Sequence, residues 1–464
     1  MIPSSARKNT CSQAGYIRKI PRSMKFFTIQ TLGCKVNQYE SQQIRQLLQD
    51  IGFACATPGQ PSDLVIVNSC CVTGTASAKS RQSLRRLHSL YPNAKLILTG
   101  CLAAADSDEL KTLSAGDVRL VPDKDKIALA VQDLFNLTSE SGLQGLSKPL
   151  SPDKIKDKNS LPAAEHDHLE PLKSYTGQCR AFLKIQDGCD AFCSYCIIPK
   201  IRTQVCNKDV KTVLTEAQNL VLAGHKEIVL SGIFLGAYGQ NTARRKHWDP
   251  EKRDCLADLL DQLAAVPGLA RIRLSSLEPA DVTDRLLEVF AKNPNIMPHL
   301  HLPLQSGSPA ILRKMCRQYT RDDFFSVISK VNAVLDRPAI TTDIIVGFPG
   351  ETDDDFAETM QTAAKVGFSK IHIFPFSPRK GTPAAKMPGR VNPAVIKART
   401  DDIHKLDTQL QEQFRLQFTG QSVSVLVETL RPPRGRCERY FMVDLSKHPN
   451  APTLRRGDIV PAIV

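Results

Sequence analysis

Cys189, Cys193 and Cys196 stand with three and then two residues between them. Thiolates at this spacing fit a compact loop that presents them to one iron–sulfur cluster, a group that normally takes four ligands. A missing fourth ligand leaves one iron open, and an open coordination position marks a reacting metal rather than a structural one. Zinc is the alternative metal, but it needs a fourth protein ligand and none follows at a standard spacing. Three more cysteines, Cys34, Cys70 and Cys101, each follow a short apolar run: Phe26 to Ile29, Leu64 to Val67, and Leu96 to Leu98. Cys71 is expected to point away from Cys70. Cys11, Cys55, Cys179, Cys206, Cys255, Cys316 and Cys437 read as buried or idle thiols.

Strands alternating with helices must position these groups. Ile44, Leu47, Leu48 and Ile51 recur at helical spacing after the first strand, and Leu84 and Leu87 do so after the second. The alternation implies an N-terminal, doubly wound parallel sheet covered on both faces. Ligands of such sheets bind beyond the carboxyl ends of the strands, so three strand-end cysteines can converge although 36 and 31 residues separate them. The alternation then repeats six times, with strands expected at 181–186, 227–231, 271–275, 299–304, 340–346 and 370–376. Six βα units imply a partial barrel of the TIM type, whose chemistry sits at the carboxyl ends of its strands. Those ends carry Asp187-Gly188-Cys189, Ser231-Gly232, Ser275-Ser276 with Glu278, Gln305-Ser306-Gly307, Gly347 to Glu351, and Ser377 with Arg379. Each alone is an ordinary cap or turn. His299, His301 and Pro303 share one strand face, and for each histidine a hydrogen-bonded core role is expected.

The chain of 464 residues carries 61 Lys+Arg against 47 Asp+Glu, a formal net charge of +14. That excess favours a polyanionic partner. The 42% hydrophobic content excludes a largely disordered chain. No apolar run approaches the roughly 18 residues of a membrane span. Cysteines without disulfide-framework spacing point to an intracellular, cytoplasmic protein. Five regions are expected: a basic extension (1–24), the sheet domain (25–136), a flexible linker rich in Ser, Pro and Lys (137–174), the barrel (175–410) and a small β-barrel (411–464). The last region is read from alternating runs at 422–427 and 439–443, separated by Pro432, Pro433 and Gly435. Its Arg431, Arg434, Arg436, Arg439, Lys447, Arg455 and Arg456, with Tyr440 and Phe441 for stacking, suit single-stranded nucleic acid.

The segment from Asp187 to Pro199 resembles the cluster loop of the radical S-adenosylmethionine methylthiotransferase family, and Lys25 to Val464 follows that family throughout. Thr31 to Ser41 and Phe376 to Thr382 resemble the branch acting on threonylcarbamoyl-adenosine in tRNA, with Phe376 where Tyr is more usual and Pro378 where Lys is common. The resemblance implies an RNA-binding TRAM domain at the C-terminus and two [4Fe-4S] clusters. Cys189, Cys193 and Cys196 would hold the radical-generating cluster, and Cys34, Cys70 and Cys101 a second one used in sulfur insertion. It also implies cleavage of S-adenosyl-L-methionine to a deoxyadenosyl radical, a reaction suited to an aromatic C–H too weakly acidic for a side-chain base. Ser275, Glu278, Gln305, Ser306, Gly347 and Gly350 are the expected contacts to that cofactor. Arg379, Lys380 and Tyr440 are the expected contacts to tRNA, with Arg379 suited to the substrate carboxylate. The expected partners are tRNA and a flavodoxin- or ferredoxin-type electron donor, without DNA or membrane. The alternatives are a methylthiotransferase for isopentenyl-adenosine or for a ribosomal protein, and a non-catalytic iron–sulfur RNA-binding protein. Lys35-Val36-Asn37 after the first cysteine disfavours the first two.

Overall fold

The computed structural model of the chain describes residues 24–105, 118–137 and 169–464. Most of the expected extension and linker therefore lie outside the described residues. Among the described residues, no helix is long and apolar enough to cross a membrane.

Five parallel strands open the fold: β1 (Phe26–Thr31), β2 (Ala54–Cys55), β3 (Leu64–Ser69), β4 (Lys95–Gly100) and β5 (Val118–Leu120). Their order is β2-β1-β3-β4-β5. Alternate side chains of the central strands face opposite ways. Leu64 and Ile66 meet Ile44 and Leu48 of the helix Lys35–Asp50, while Val65 and Val67 meet Leu84 and Leu87 of the helix Gly74–Leu90. Both faces are thus covered, as an all-parallel sheet requires. Each of these buried aliphatic side chains contributes about 1.5–3 kcal/mol.

The second unit is the partial barrel. Its strands are β6 (Arg180–Lys184), β9 (Glu227–Ser231), β10 (Arg271–Leu274), β11 (His299–His301), β12 (Ala339–Val346) and β13 (Lys370–Pro375), close to the six expected positions. All their pairings are parallel, and the single bridges Ile272–Ile296 and Ser276–His301 join β10 to β11. Among the described residues β6 and β13 do not pair, so the barrel stays open. A short antiparallel ribbon, β7 (Gln186–Asp187) with β8 (Cys206–Asn207), closes the base of the loop that carries Cys189, Cys193 and Cys196.

The described end of the expected linker is packed. Leu172 is fully buried, its N–H donates to Glu216 Oε1 at 3.1 Å, and Gln46 Nε2 donates to the Pro171 carbonyl at 3.0 Å. The expected boundary at 410/411 falls inside one helix, Pro393–Leu416. Its Ile403 and Leu410 belong to the barrel core and its Phe414 to the C-terminal core.

The C-terminal unit is a four-stranded antiparallel sheet: β14 (Ser422–Leu430), β15 (Pro433–Cys437), β16 (Met442–Asp444) and β17 (Ile459–Ile463), in the order β16-β15-β14-β17. Two details differ from the sequence reading. Pro433 and Gly435, read as separators, lie in a strand; proline is tolerated at a first strand position, and a Cβ on Gly435 would lie 2.3 Å from the Leu426 carbonyl oxygen. The run 439–443 is mostly a turn instead, with Tyr440 at φ +73°. Phe441 packs against Phe414 and Phe418 and is used in the core.

Candidate functional site

The sheet cysteines stand at the ends of three neighbouring strands. Gly33, at φ +109°, turns the chain out of β1, and Cys34 caps the helix Lys35–Asp50. Cys70 directly follows β3. Gly100, at φ +82°, turns the chain out of β4, and Cys101 opens the helix Cys101–Ala104. A Cβ on Gly33 would lie 2.7 Å from Cβ of Cys70, so glycine is what lets the first and second strand ends meet. Asn37 and Asn68 lock them. Asn37 Nδ2 donates to Asn68 Oδ1 (3.2 Å) and to the Ser69 carbonyl (2.9 Å), Asn68 Nδ2 donates to the Asn37 carbonyl (2.9 Å), and the Cys34 thiol donates to Asn37 Oδ1 (3.3 Å). Burial pushes the Cys101 thiol up to about 12 and raises that of Cys70, and the Cys34 thiol raises both. The Cys71 thiol donates to the Cys101 carbonyl at 3.3 Å, and the neighbouring Cys70 thiol still acts on it.

The second triad sits on a single loop. Gly188, at φ +75°, leaves no room for a side chain, since a Cβ would fall 1.6 Å from the Gln204 carbonyl oxygen. The Cys189 N–H donates to the Arg202 carbonyl (2.9 Å) and that of Cys196 to the Cys193 carbonyl (3.0 Å). Arg317 Nη1 lies 3.0 Å from Cys193 Sγ, and its Nη2 pairs with Glu278 at 2.5 Å. Arg245 holds the other Glu278 oxygen at 3.1 Å. Burial pushes the Cys189 and Cys196 thiols up to about 12; it also raises Cys193, which Arg317 pulls back down. A metal taken up by either triad must therefore displace thiol protons.

A buried charge network couples the two units. Arg202 Nη1 is 2.8 Å from both Glu40 Oε1 and Asp187 Oδ1, and Lys184 Nζ is 3.0 Å from Asp187 Oδ2. Burial alone would raise both carboxyls. Arg202, with Lys124 and Lys184, outweighs it and holds Asp187 well below the usual carboxylate range and Glu40 lowered too.

A cavity of about 390 Å³ occupies the barrel lumen, lined by Cys34 and Lys35 on one side, Ser275 just past β10, His299 and His301 on β11, and Tyr440 opposite. Tyr440 does not stand on the surface of the C-terminal sheet. Its ring stacks on His299 with centroids 4.0 Å apart and 11° between planes, and Arg436 lies 4.4 Å over it. His299 Nε2 and His301 Nδ1 both contact Thr341 Oγ1, at 3.1 and 2.9 Å, the hydrogen-bonded role expected of them. Burial, and then Arg273, holds the His299 imidazole well below its ordinary value.

The other expected residues scatter around this site. Ser275 is buried, lines the cavity, and among the described residues its hydroxyl has no partner. Glu278 is taken by Arg317 and Arg245. Gln305, at φ +63°, bridges to β12, and fully buried Ser306 lies 3.2 Å from Thr359 Oγ1. A Cβ on Gly347 would strike Ile396 at 2.4 Å, and one on Gly350 would meet Lys314 Nζ at 2.8 Å. Arg379 Nη2 donates to Ser77 Oγ at 2.8 Å, beside Gly74, whose N–H donates to Ser377 Oγ. It joins the sixth strand end to the N-terminal unit, with exposed Lys380 next to it. Sequence reasoning passed over Arg317, Arg202, Asn37 and Asn68. Of these only Asn37 carried a signal, as part of the segment after Cys34.

Residues 26–121 match the family described as uncharacterized protein family UPF0004, and residues 183–363 match the radical SAM superfamily. The chain is 37% identical to a threonylcarbamoyladenosine tRNA methylthiotransferase MtaB of Thermotoga maritima, over 87% of each chain. It is 36% identical to the enzyme of the same name from Bacillus subtilis, over 86% of this chain and 84% of that one. Identity to a tRNA-2-methylthio-N(6)-dimethylallyladenosine synthase of Mycobacterium ulcerans is 32%, over 88% of this chain and 74% of that one. In fold it is similar to TsrM, a radical S-adenosylmethionine methyltransferase of Kitasatospora setae, with a TM-score of 0.54 at 13% identity over 78% of this chain and 74% of that one. A strand-end triad, a loop triad at a barrel mouth, and relatives that match both units lead to one conclusion: the chain belongs to the radical S-adenosylmethionine methylthiotransferase family.

Proposed function

We propose that the protein methylthiolates N6-threonylcarbamoyladenosine at position 37 of tRNA, on C2 of the base, in the cytoplasm. The observation that carries the choice of base is the 37% identity over 87% of both chains to a threonylcarbamoyladenosine enzyme, against 32% over 74% of a dimethylallyladenosine enzyme.

Cys189, Cys193 and Cys196 would hold one [4Fe-4S] cluster and Cys34, Cys70 and Cys101 the other. Among the described residues no three His, Cys, Asp or Glu side chains surround a single ion. A cluster spreads its ligands over several irons, so its thiolates need not meet at one point. The donor sets suit it: three thiols each, with a guanidinium 3.0 Å from Cys193 Sγ to balance a thiolate. When bound, an open cluster supplies an electron to S-adenosyl-L-methionine, and a flavodoxin- or ferredoxin-type donor would renew it. The chain's own part is to hold. Glu278 fixes Arg317 against Cys193, Arg202 ties Asp187 beside the loop to Glu40, and Tyr440, stacked on His299, forms part of the lumen wall. A base must leave its stack to reach that lumen, and an anticodon-loop base is already partly free of it. Exposed Arg431, Arg434, Lys447 and Arg455 would meet tRNA phosphates, as would Lys380.

The test compares tRNA bearing threonylcarbamoyl-adenosine, isopentenyl-adenosine or plain adenosine. Turnover should be highest on the first. Equal turnover on all three removes the assignment, and preference for the isopentenyl form moves the protein to the neighbouring branch.

A further inference from the structure

The lumen cavity holds four groups whose partners decide its character. Arg180 Nε is 3.0 Å from Glu428, and Arg273 Nε is 2.9 Å from Glu227 while its other nitrogens donate to the carbonyls of Cys437 and Glu438. Asp343 is 3.3 Å from His301 Nε2. Lys35 differs. It lines the cavity next to Cys34, is half-buried, and among the described residues has no carboxylate and no hydrogen-bond acceptor. Its charge acts on His299, His372 and Tyr440, which lie around the cavity. Ser275 and His299, which line the same cavity, each carry a buried polar atom that has no partner among the described residues: Ser275 Oγ, on a residue only 6% exposed, and His299 Nδ1, on one 4% exposed. Buried polar atoms normally find partners, so a cavity with two orphans and an unneutralised ammonium is shaped for a polar, anionic guest.

We propose that Lys35 is a specificity-determining residue, its ammonium pairing with a carboxylate on the N6 substituent of the adenine held in this cavity, with Ser275 and His299 meeting polar atoms of that base. The proposal rests on the functional reading above and deepens it. A carboxylate pairs with an ammonium and an alkenyl group does not, so the contact selects the threonylcarbamoyl base over its isopentenyl counterpart. It also moves the carboxylate contact from Arg379, whose guanidinium is engaged with Ser77 and which does not line the cavity. S-adenosyl-L-methionine carries a carboxylate as well, so the experiment must separate the two sources.

The wild-type holoenzyme is assayed on tRNA carrying the threonylcarbamoyl acid and on tRNA carrying its carboxamide. The acid should be preferred at least tenfold in kcat/KM, the scale of a charge-assisted contact. In Lys35→Gln this acid-to-amide ratio should fall towards one, and in Lys35→Arg most of it should return. A wild-type enzyme that treats acid and amide alike overturns the proposal whatever the variants do. So does a Lys35→Gln variant that keeps the wild-type ratio, or one whose only change is a higher KM for S-adenosyl-L-methionine. Failure of the functional reading looks different: the wild-type enzyme would then prefer the isopentenyl substrate.

Discussion

The two cysteine triads are built on opposite plans. One occupies eight consecutive positions, Cys189 to Cys196, on a loop closed by a two-stranded ribbon and braced by Arg317 from a distant segment. The other gathers Cys34, Cys70 and Cys101 from three strand ends, and the sheet itself is the brace. The loop triad owes its geometry to local backbone and one guanidinium. The sheet triad owes its geometry to topology, to Gly33 and to a pair of asparagines. A loop can keep thiols in place while the rest of the unit shifts, whereas a strand-end triad is only as well set as the register of its sheet.

The largest effect expected from this contrast is Cys193→Ala. Two loop thiolates cannot retain an open cluster, so deoxyadenosine production should vanish and about one cluster's iron should be lost. Iron analysis with a cleavage assay measures both, and undiminished cleavage would dissolve the assignment of the loop. Cys70→Ala should do less: methylthio product stops, while uncoupled cleavage of S-adenosyl-L-methionine stays measurable, because the loop is braced independently. Product at the normal rate would mean that the sheet thiols hold no second cluster.

A step smaller is the seam beneath the lumen. Glu227 is fully buried among Arg180, Arg271 and Arg273, and the last two also hold carbonyls of the C-terminal sheet. Burial would raise its carboxyl, but the three arginines hold it below the ordinary 4.5. A depressed carboxyl stabilises the fold above its unfolded value, and that stability is lost as pH falls through the lower folded one. Thermal melts should therefore show the docking weaken below pH 4.5. Glu227→Gln should remove about 3–5 kcal/mol and the acid sensitivity together. Because the cavity is lined by Cys34 and by none of the loop cysteines, the variant should lose product before it loses cleavage.

The smallest effects come from the braces. Asn37→Ala removes donors to Asn68 and Ser69, a loss of about 1–3 kcal/mol, and should loosen only the sheet triad's iron. Arg317→Met should leave that iron in place and change the reduction potential of the loop cluster, since hydrogen bonds to sulfur set it. Spectra that report equal changes at both sites after either substitution would merge the triads into one functional unit.

The same contrast explains what could be read from sequence. The loop triad is legible because its ligands are neighbours in the chain, and the six barrel strands because their short apolar runs alternate with helical stretches. The sheet triad becomes legible only once strand ends are predicted. Tyr440 was not legible in its true place. A basic run with two aromatic residues resembles an RNA surface, and nothing local reveals that a left-handed turn drives one ring onto His299 and that the next, Phe441, belongs to a core. Arg317 and Arg202 were missed for a similar reason: each acts on a residue more than 100 positions away (Cys193 and Glu40), and charge alone does not show which arginine will turn inward.

The helix Pro393–Leu416 has its own consequence. It carries Leu410 in the barrel core and Phe414 in the C-terminal core without a break, so the angular relation between the two is written into a count of residues. Each residue of an α-helix turns the chain by about 100°. One residue inserted between Leu410 and Phe414 would swing the C-terminal sheet about a quarter turn and lift Tyr440 out of the lumen, although no residue of either core had been replaced. The helix behaves as a camshaft, and its permitted lengths would come in steps of whole turns.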